Sequence, residues 1–528
     1  MLTSGPVLLA LSSLISVVTA DWQFRSRPDL SAPRLNITVP SKAGEVENGF
    51  IFIAPYGGFA DSHKGPVQPG AYIYRDDGEL VWSGVGYHAG WVANFRPDVW
   101  DGKPHLRAFQ GQLDHLHGPH EFRIVDGKTA LIETPIPRPI SLKPWGGDDE
   151  QTWILSAGFQ GNDKPHRWIM IVALTYRWLM RSVEVDIETG EVLFEWQSLD
   201  HVDPKYSAFP LDSGEGVPGS GRSESDAWNY FHINSVDKDD QGNYLLSARH
   251  IAALFKINGT NGDVIWQLGG LHGGSSFSIS EEDRFAFQHD ARFHGRSNDE
   301  TIEILSLFDN GAYSSEVKTN SFSRARIIQL NHTAKTATAL HTFDAPDGLS
   351  ARTQGNAQLL PNGNVFVNWG EAGAVTEFDR SGSVLFHSYL DSAPEGVLVQ
   401  SYRGFRANWT GTPSEEPAVV VSNEDNSKDL EVFVSWNGDT ETTLWQFHGH
   451  TSVNSQPELL GEVPRNGFET HSILVGAADR GVWYVSAVAL DGNGAILRRT
   501  KAVPISADSG HPSHFLDQGR LVERQGEL

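Results

Sequence analysis

The chain has no cysteine at all, which excludes disulfides and thiolate metal sites. Methionine is scarce, with 3 in 528 residues. Positive charge is also short: 41 Lys and Arg against 66 Asp and Glu leave a formal charge of −25. So acidic a surface repels polyanions, and nucleic acid is excluded as a general partner. Long apolar runs are missing too. Trp168–Met180 extends over only about 13 positions, short of the ~20 a bilayer-spanning helix needs. No GxSxG elbow, P-loop or dinucleotide fingerprint occurs, which argues against hydrolase, NTPase and Rossmann chemistry.

What the chain has in quantity is Gly (53) and Trp (16), a mixture that suits short strands joined by tight turns. Stretches such as YIYRDDGELVWSG, FRIVDGKTALIE, YLLSARHIAALFKINGTNGDVIWQLGG, NVFVNWGEAGAVTEFDRSGSVLFHSYL and AVALDGNGAILRR alternate in polarity around Asp-Gly, Asn-Gly or Ser-Gly pairs. These are hairpin signals, and the expected fold class is all-β. A loose repeat opens each unit with a polar residue on an apolar strand, at His120, His232, His289, Asn356, Arg403 and His471. Units of about 50–65 residues with four strands each predict a six-bladed β-propeller in a single large domain, with an N-terminal β extension. The alternative is a set of unrelated β-sandwich hairpins.

Residues 1–20 read as a secretory signal peptide, with an apolar run ending in Val18-Thr19-Ala20 but no Lys or Arg before it. Sequons at Asn36, Asn258, Asn331 and Asn408 fit an extracellular, secreted glycoprotein. Residues 21–75 are expected to form a β segment packing on the propeller, 76–506 the propeller itself, and 507–528 a polar tail. Residues 161–183 break the pattern as an atypical insertion. Deleting them would join SAGFQ to EVDIETGEVLFEW and restore a hairpin, as an unspliced intron would allow.

Histidine carries the chemistry. His232 and Asn234 are two apart and share one face of a strand, and Arg249 follows one hairpin later. FAFQHDARF places His289 between Gln288 and Asp290 on another apolar strand. Any one such histidine is more often a satisfied core residue. Several at matching places in successive blades converge on one channel. Asp114, His115, His117 and His120 in LDHLHGPHEF make a weak metal motif, broken by Gly-Pro; no metal or cofactor is expected.

At these residues the chain resembles the arylsulfotransferase family, in its secreted fungal branch. The blocks YFHINSV, GNYLLSARH, LFKI, FQHDARF, LSLFDNG, GNAQLLPNGNVFVNWG and SYRGFRANWTG carry the resemblance. It implies a propeller that moves a sulfuryl group from a phenolic sulfate to a phenolic acceptor through a sulfohistidine, without a nucleotide donor. Its small-molecule partners would be phenols and aryl sulfates. It places the nucleophile on His289, the H-x-N pair on His232 and Asn234, the sulfate-binding arginine on Arg249, and a further histidine on His120, the least secure match. The chain departs from bacterial members in lacking Cys and an N-terminal domain, and in the acid Asp290 beside His289, which either orients the imidazole or repels the donor. A non-catalytic propeller binding a sulfated or phenolic ligand is the alternative function.

Overall fold

The structure, a computed structural model, describes residues 21–58, 65–88, 91–100, 103–115, 122–133, 139–141, 152–153, 167–174, 179–186, 192–210, 228–390, 399–423 and 427–506. The predicted signal peptide and polar tail lie outside them. Among the described residues there is no α-helix, only short 3₁₀ turns such as Ser198–Asp200 between strands. The molecule is nearly all-β and built from many antiparallel sheets.

Six sheets follow one another along the chain. The first holds Phe50–Ile53, Tyr72–Tyr74 and Leu80–Ser83. Its remaining strand, Gly404–Ala407, comes from far downstream and pairs Phe405 with Phe52. The second runs from Trp91–Trp100 to Pro139–Ser141, and the third from Thr152–Trp153 to Val192–Gln197. The fourth comprises Ile233–Lys238, Tyr244–Ala248, Ala253–Ile257 and Val264–Gly269. The fifth is built on His289–Arg296 through Thr336–Asp344, and the sixth on Asn356–Leu359 through Val384–Tyr389.

Strand alternation makes a sheet two-faced, and from the third sheet through the sixth to the first and second, neighbouring sheets share a core. In the fourth sheet Tyr244, Leu246 and Phe255 pack with Trp196 of the third, whereas Leu245 and Leu254 pack with Leu305 and Leu307 of the fifth. Phe308, Ala325 and Ile327 of the fifth join Val365, Val367 and Phe378 of the sixth. Phe366, Val375 and Phe386 of the sixth then pack with Ile51, Tyr72 and Tyr74 of the first. Phe52 and Trp82 on the opposite face of the first meet Phe95 and Leu106 of the second. Each large apolar side chain so buried contributes ~1.5–3 kcal/mol, so these shared layers dominate cohesion.

Several expectations need adjustment. Asn36–Val39 adds to the outer edge of the sixth sheet, but Phe50–Ile53 and Tyr72–Tyr74 are strands of the first. A boundary at 75 therefore cuts the hairpin Tyr72–Tyr74/Leu80–Ser83. Residues 418–504 form two further sheets around a core of their own that includes Val421, Val432, Trp436, Trp445, Phe447 and Val485. His471 lies there, half exposed and 2.8 Å from Glu431, so it is not equivalent to the other repeat openings. FRIVDGKTALIE is one strand, Phe122–Glu133, instead of a hairpin. Within the suspected insertion, Arg167–Leu174 pairs with Leu179–Asp186 inside the third sheet.

Candidate active site

His232, His289, Asn356 and Arg403 each stand at the start of the leading strand of its sheet. These strands are stitched to one another by side chains that satisfy a neighbour's backbone. Asn234 donates to the Gln288 carbonyl (2.6 Å), and the Ser235 hydroxyl accepts from the Ala291 N–H (3.0 Å). Asp237 accepts from the Phe293 N–H (2.9 Å). Asn356 and Gly404 exchange two bonds, at 2.8 and 2.9 Å. Buried backbone groups demand partners, so these polar residues fix the relative height of the strands. The backbone turns left-handed at His232 (φ 53°), Asp290 (φ 55°) and Gln354 (φ 67°), conformations rare for residues other than glycine. Such outliers concentrate where function over-determines the chain.

His289 is buried. Its Nδ1 is 2.7 Å from the Asn310 side-chain oxygen and 3.2 Å from the Phe287 carbonyl. Asn310 cannot turn its amide around, because its Nδ2 donates to the carbonyls of Ala351 (2.8 Å) and Gln354 (3.1 Å). Both groups facing Nδ1 are acceptors, so the ring proton sits on Nδ1 and the lone pair on Nε2. That lone pair accepts a hydrogen bond from the Gln354 N–H at 3.3 Å. Burial, then the charges of Arg403 and Arg249, hold the imidazole well below its usual pKa; the Asn310 contact opposes them. His289 is a neutral imidazole at neutral pH.

Arg249 lies close enough to act electrostatically on both His289 and His232. Its Nη2 donates to the Arg352 carbonyl (2.9 Å), its Nη1 contacts His250 Nε2 (2.8 Å), and its guanidinium lies over the Tyr313 ring at 4.8 Å. His250 Nδ1 faces the Asn229 carbonyl at 2.5 Å and must donate there, leaving Nε2 to accept from Arg249. The His232 ring stacks obliquely on His250 with centroids 4.5 Å apart, and its Nδ1 accepts from the Asn229 amide at 2.8 Å. Burial and Arg249 push the pKa of His232 well down, and burial with His232 does the same to His250.

Asp290 neither orients His289 nor faces it unpaired. Its carboxylate binds Arg292 at 2.5 Å and lies 3.6 Å from Arg403 Nε. Orientation of the imidazole falls to Asn310. Arg403 is fully buried, donates to the Asn234 carbonyl (3.2 Å) and stacks on Tyr402 at 4.4 Å.

Of the expected site residues, the structure thus brings His232, Asn234, Arg249 and His289 together. One amide proton of Asn234 is committed to Gln288, and its oxygen is buried without a hydrogen-bond partner among the described residues. His120, with His115, His117 and Asp114 of the metal motif, falls outside the described side chains. Among the described residues no group of three or more His, Asp or Glu is placed to hold a metal ion. The residues not singled out from sequence are Asn310, His250, Gln354 and Tyr402, together with the buried charge of Arg403. Asn310 and His250 lie inside the blocks LSLFDNG and SARH, His250 next to Arg249. Gln354 acts through its backbone, which no side-chain pattern reports.

Similar solved structures include a protein of unknown function from Bacteroides caccae, 12% identical over 68% of this chain and 98% of that one, with a TM-score of 0.36. A protein from Lactobacillus plantarum is 10% identical over 81% and 100% (TM-score 0.31). A virginiamycin B lyase from Staphylococcus aureus, with quinupristin, is 7% identical over 75% and 92% (TM-score 0.27). Scores and identities this low carry no argument about chemistry. No curated protein matches the chain. Residues 178–390, the stretch that carries His232, Asn234, Arg249, His289 and Asn310, match the sequence model of the family described as Arylsulfotransferase (ASST), which supports an arylsulfotransferase-like function.

Proposed function

We propose that the protein is a secreted, nucleotide-independent arylsulfotransferase whose six sheets close into a six-bladed propeller around the His289 site. Closure is supported by the sharing of cores from the third sheet through the sixth to the first and second, and by the pairing of Gly404–Ala407 with Phe50–Ile53. The single observation that carries the chemistry is His289 itself: a buried imidazole with its proton pinned on Nδ1 by Asn310, its Nε2 lone pair facing the Gln354 N–H, and the charges of Arg403 and Arg249 near enough to hold the ring neutral.

The reaction uses those groups in sequence. The Nε2 lone pair attacks sulfur, the N–S bond forms, and the S–O bond to the aryl group breaks with its electron pair leaving as phenolate. The intermediate carries SO₃⁻ on Nε2 and retains the Nδ1 proton, still donated to Asn310. Arg249 and Arg403 stabilise the equatorial oxygens, as expected of a loose transition state that needs positioning and charge more than covalent work. Held neutral by burial beside Arg249, His232 has its remaining proton on Nε2, because Nδ1 accepts from Asn229. It serves the phenolic oxygen as a hydrogen-bond donor and not as a charged acid. An acceptor that enters as its phenolate reverses the step: its oxygen attacks sulfur, and the N–S bond breaks with its electron pair returning to Nε2.

The test is mass spectrometry after incubation with 4-nitrophenyl sulfate. A gain of one SO₃ on the His289 peptide, and its loss with all turnover in His289→Ala, is expected. Saturable binding without adduct or turnover would refute the enzyme and leave a binding protein.

A further inference from the structure

Resting on that sulfotransferase reading, we infer that the backbone N–H of Gln354 is a second kind of sulfuryl-oxygen donor, held in place by Tyr56 and Gln400. In the resting site this N–H occupies the atom that must react, donating to His289 Nε2 at 3.3 Å. The lone pair cannot both accept that hydrogen bond and attack sulfur. Once the N–S bond forms, the N–H has lost its acceptor. Admitting sulfur to the lone pair turns this N–H aside, and the sulfuryl oxygens, two bonds from Nε2, then come within its reach. The donor therefore transfers from nitrogen to oxygen as the bond is made, an interaction realised only along the reaction.

The position of this N–H is imposed from outside. Gln354 is buried with φ 67°, a conformation its own backbone disfavours. Its side-chain oxygen accepts from the Tyr56 hydroxyl (2.8 Å), and its amide nitrogen donates to the Gln400 side chain (2.8 Å). Tyr56 and Gln400 are themselves locked together by reciprocal backbone bonds of 2.9 and 2.8 Å. On the other side the Gln354 carbonyl is held by Asn310, the residue that orients His289. One short relay thus sets both nitrogens of the imidazole: Asn310 on Nδ1, and Gln354 on Nε2. Gln354 touches the reacting atom, whereas Tyr56 and Gln400 are positioning residues.

The experiment follows single-turnover release of 4-nitrophenolate from 4-nitrophenyl sulfate without acceptor phenol, in the wild type, Tyr56→Phe and Gln354→Ala. The amplitude counts competent sites and the rate reports the sulfuryl-transfer step. Both variants are expected to keep full amplitude and the wild-type concentration dependence on donor while the rate falls about tenfold or more, since contacts made only in the transition state act on rate and not on binding. Rates within twofold of wild type at full amplitude would overturn the inference, as would lower amplitude at unchanged rate, which would mark the relay as structural alone. If the wild type itself gives neither burst nor adduct, the sulfotransferase reading fails first and this inference falls with it.

Discussion

Asn310→Ala separates an oriented imidazole from one that is merely present. The substitution removes the oxygen 2.7 Å from His289 Nδ1 and the amide that serves two carbonyls. The Ala351 carbonyl keeps a partner, because the Ser323 hydroxyl also reaches it at 3.3 Å, but the Gln354 carbonyl loses this one. Leaving one buried acceptor unmade costs about 1–3 kcal/mol, so the variant should fold with a lowered Tm. The imidazole retains the longer contact to the Phe287 carbonyl at 3.2 Å, which preserves the Nδ1 tautomer but lets the ring swing. A misplacement on the scale of 1 Å costs up to ~10²-fold in a positioned reaction, and that is the expected fall in the single-turnover rate. Asn310→Asp is the informative companion. A carboxylate facing Nδ1 favours the imidazolium, against the burial and the Arg403 and Arg249 charges that now depress it. Because only the neutral ring attacks, the acid limb of the pH–rate profile should move to higher pH in Asn310→Asp. Transfer by Asn310→Ala within threefold of wild type, with the acid limb of Asn310→Asp unmoved, would refute the assignment of Asn310 as the group that sets His289.

The remaining predictions concern neighbouring groups. His250→Phe removes the acceptor of Arg249 Nη1 and leaves the guanidinium its Arg352 and Tyr313 contacts. The donor KM should rise about tenfold with the acceptor KM little changed, and equal shifts in both would exclude a role for His250 in presenting Arg249. Acid should destabilise the fold through its buried imidazoles. His232, His250 and His289 have folded pKa values depressed by burial, so their stabilising contribution is complete above the unfolded value of about 6.5 and is lost as pH falls below it. Each ring that is protonated only on unfolding adds a slope of about 1.4 kcal/mol per pH unit. Buried Asp237 and Asp309, shifted up by desolvation, act in the opposite sense. The difference between wild type and His289→Ala in urea unfolding at pH 7.5 and 5.5 isolates one imidazole. It should correspond to about one fewer proton taken up on unfolding at the lower pH, and no difference would show that His289 is not held neutral.

The strands were legible because burial on both faces of a sheet leaves a local trace. Tyr244, Leu245 and Leu246 read as an apolar run, and the structure divides them between two cores, Tyr244 and Leu246 toward the third sheet and Leu245 toward the fifth. The same locality explains the misplaced repeat opening. The first sheet is assembled from Phe50–Ser83 and Gly404–Ala407, so no contiguous unit represents it: Arg403 is its opening, and His471 belongs to the two further sheets of residues 418–504. His232, Asn234, Arg249 and His289 were legible by residue type and resemblance. What sequence could not convey is how each is held. Asp290, next to His289 in the chain, was the obvious orienting group, yet its left-handed backbone and its pairing with Arg292 and Arg403 leave that role to Asn310, 21 residues on. A backbone donor such as Gln354 N–H carries no side-chain signature at all. It becomes visible only through the tethers to Tyr56 and Gln400, which lie on either side of it and far apart in the chain. The residue types of this site are local information, whereas their protonation states are set by contacts between strands distant in sequence.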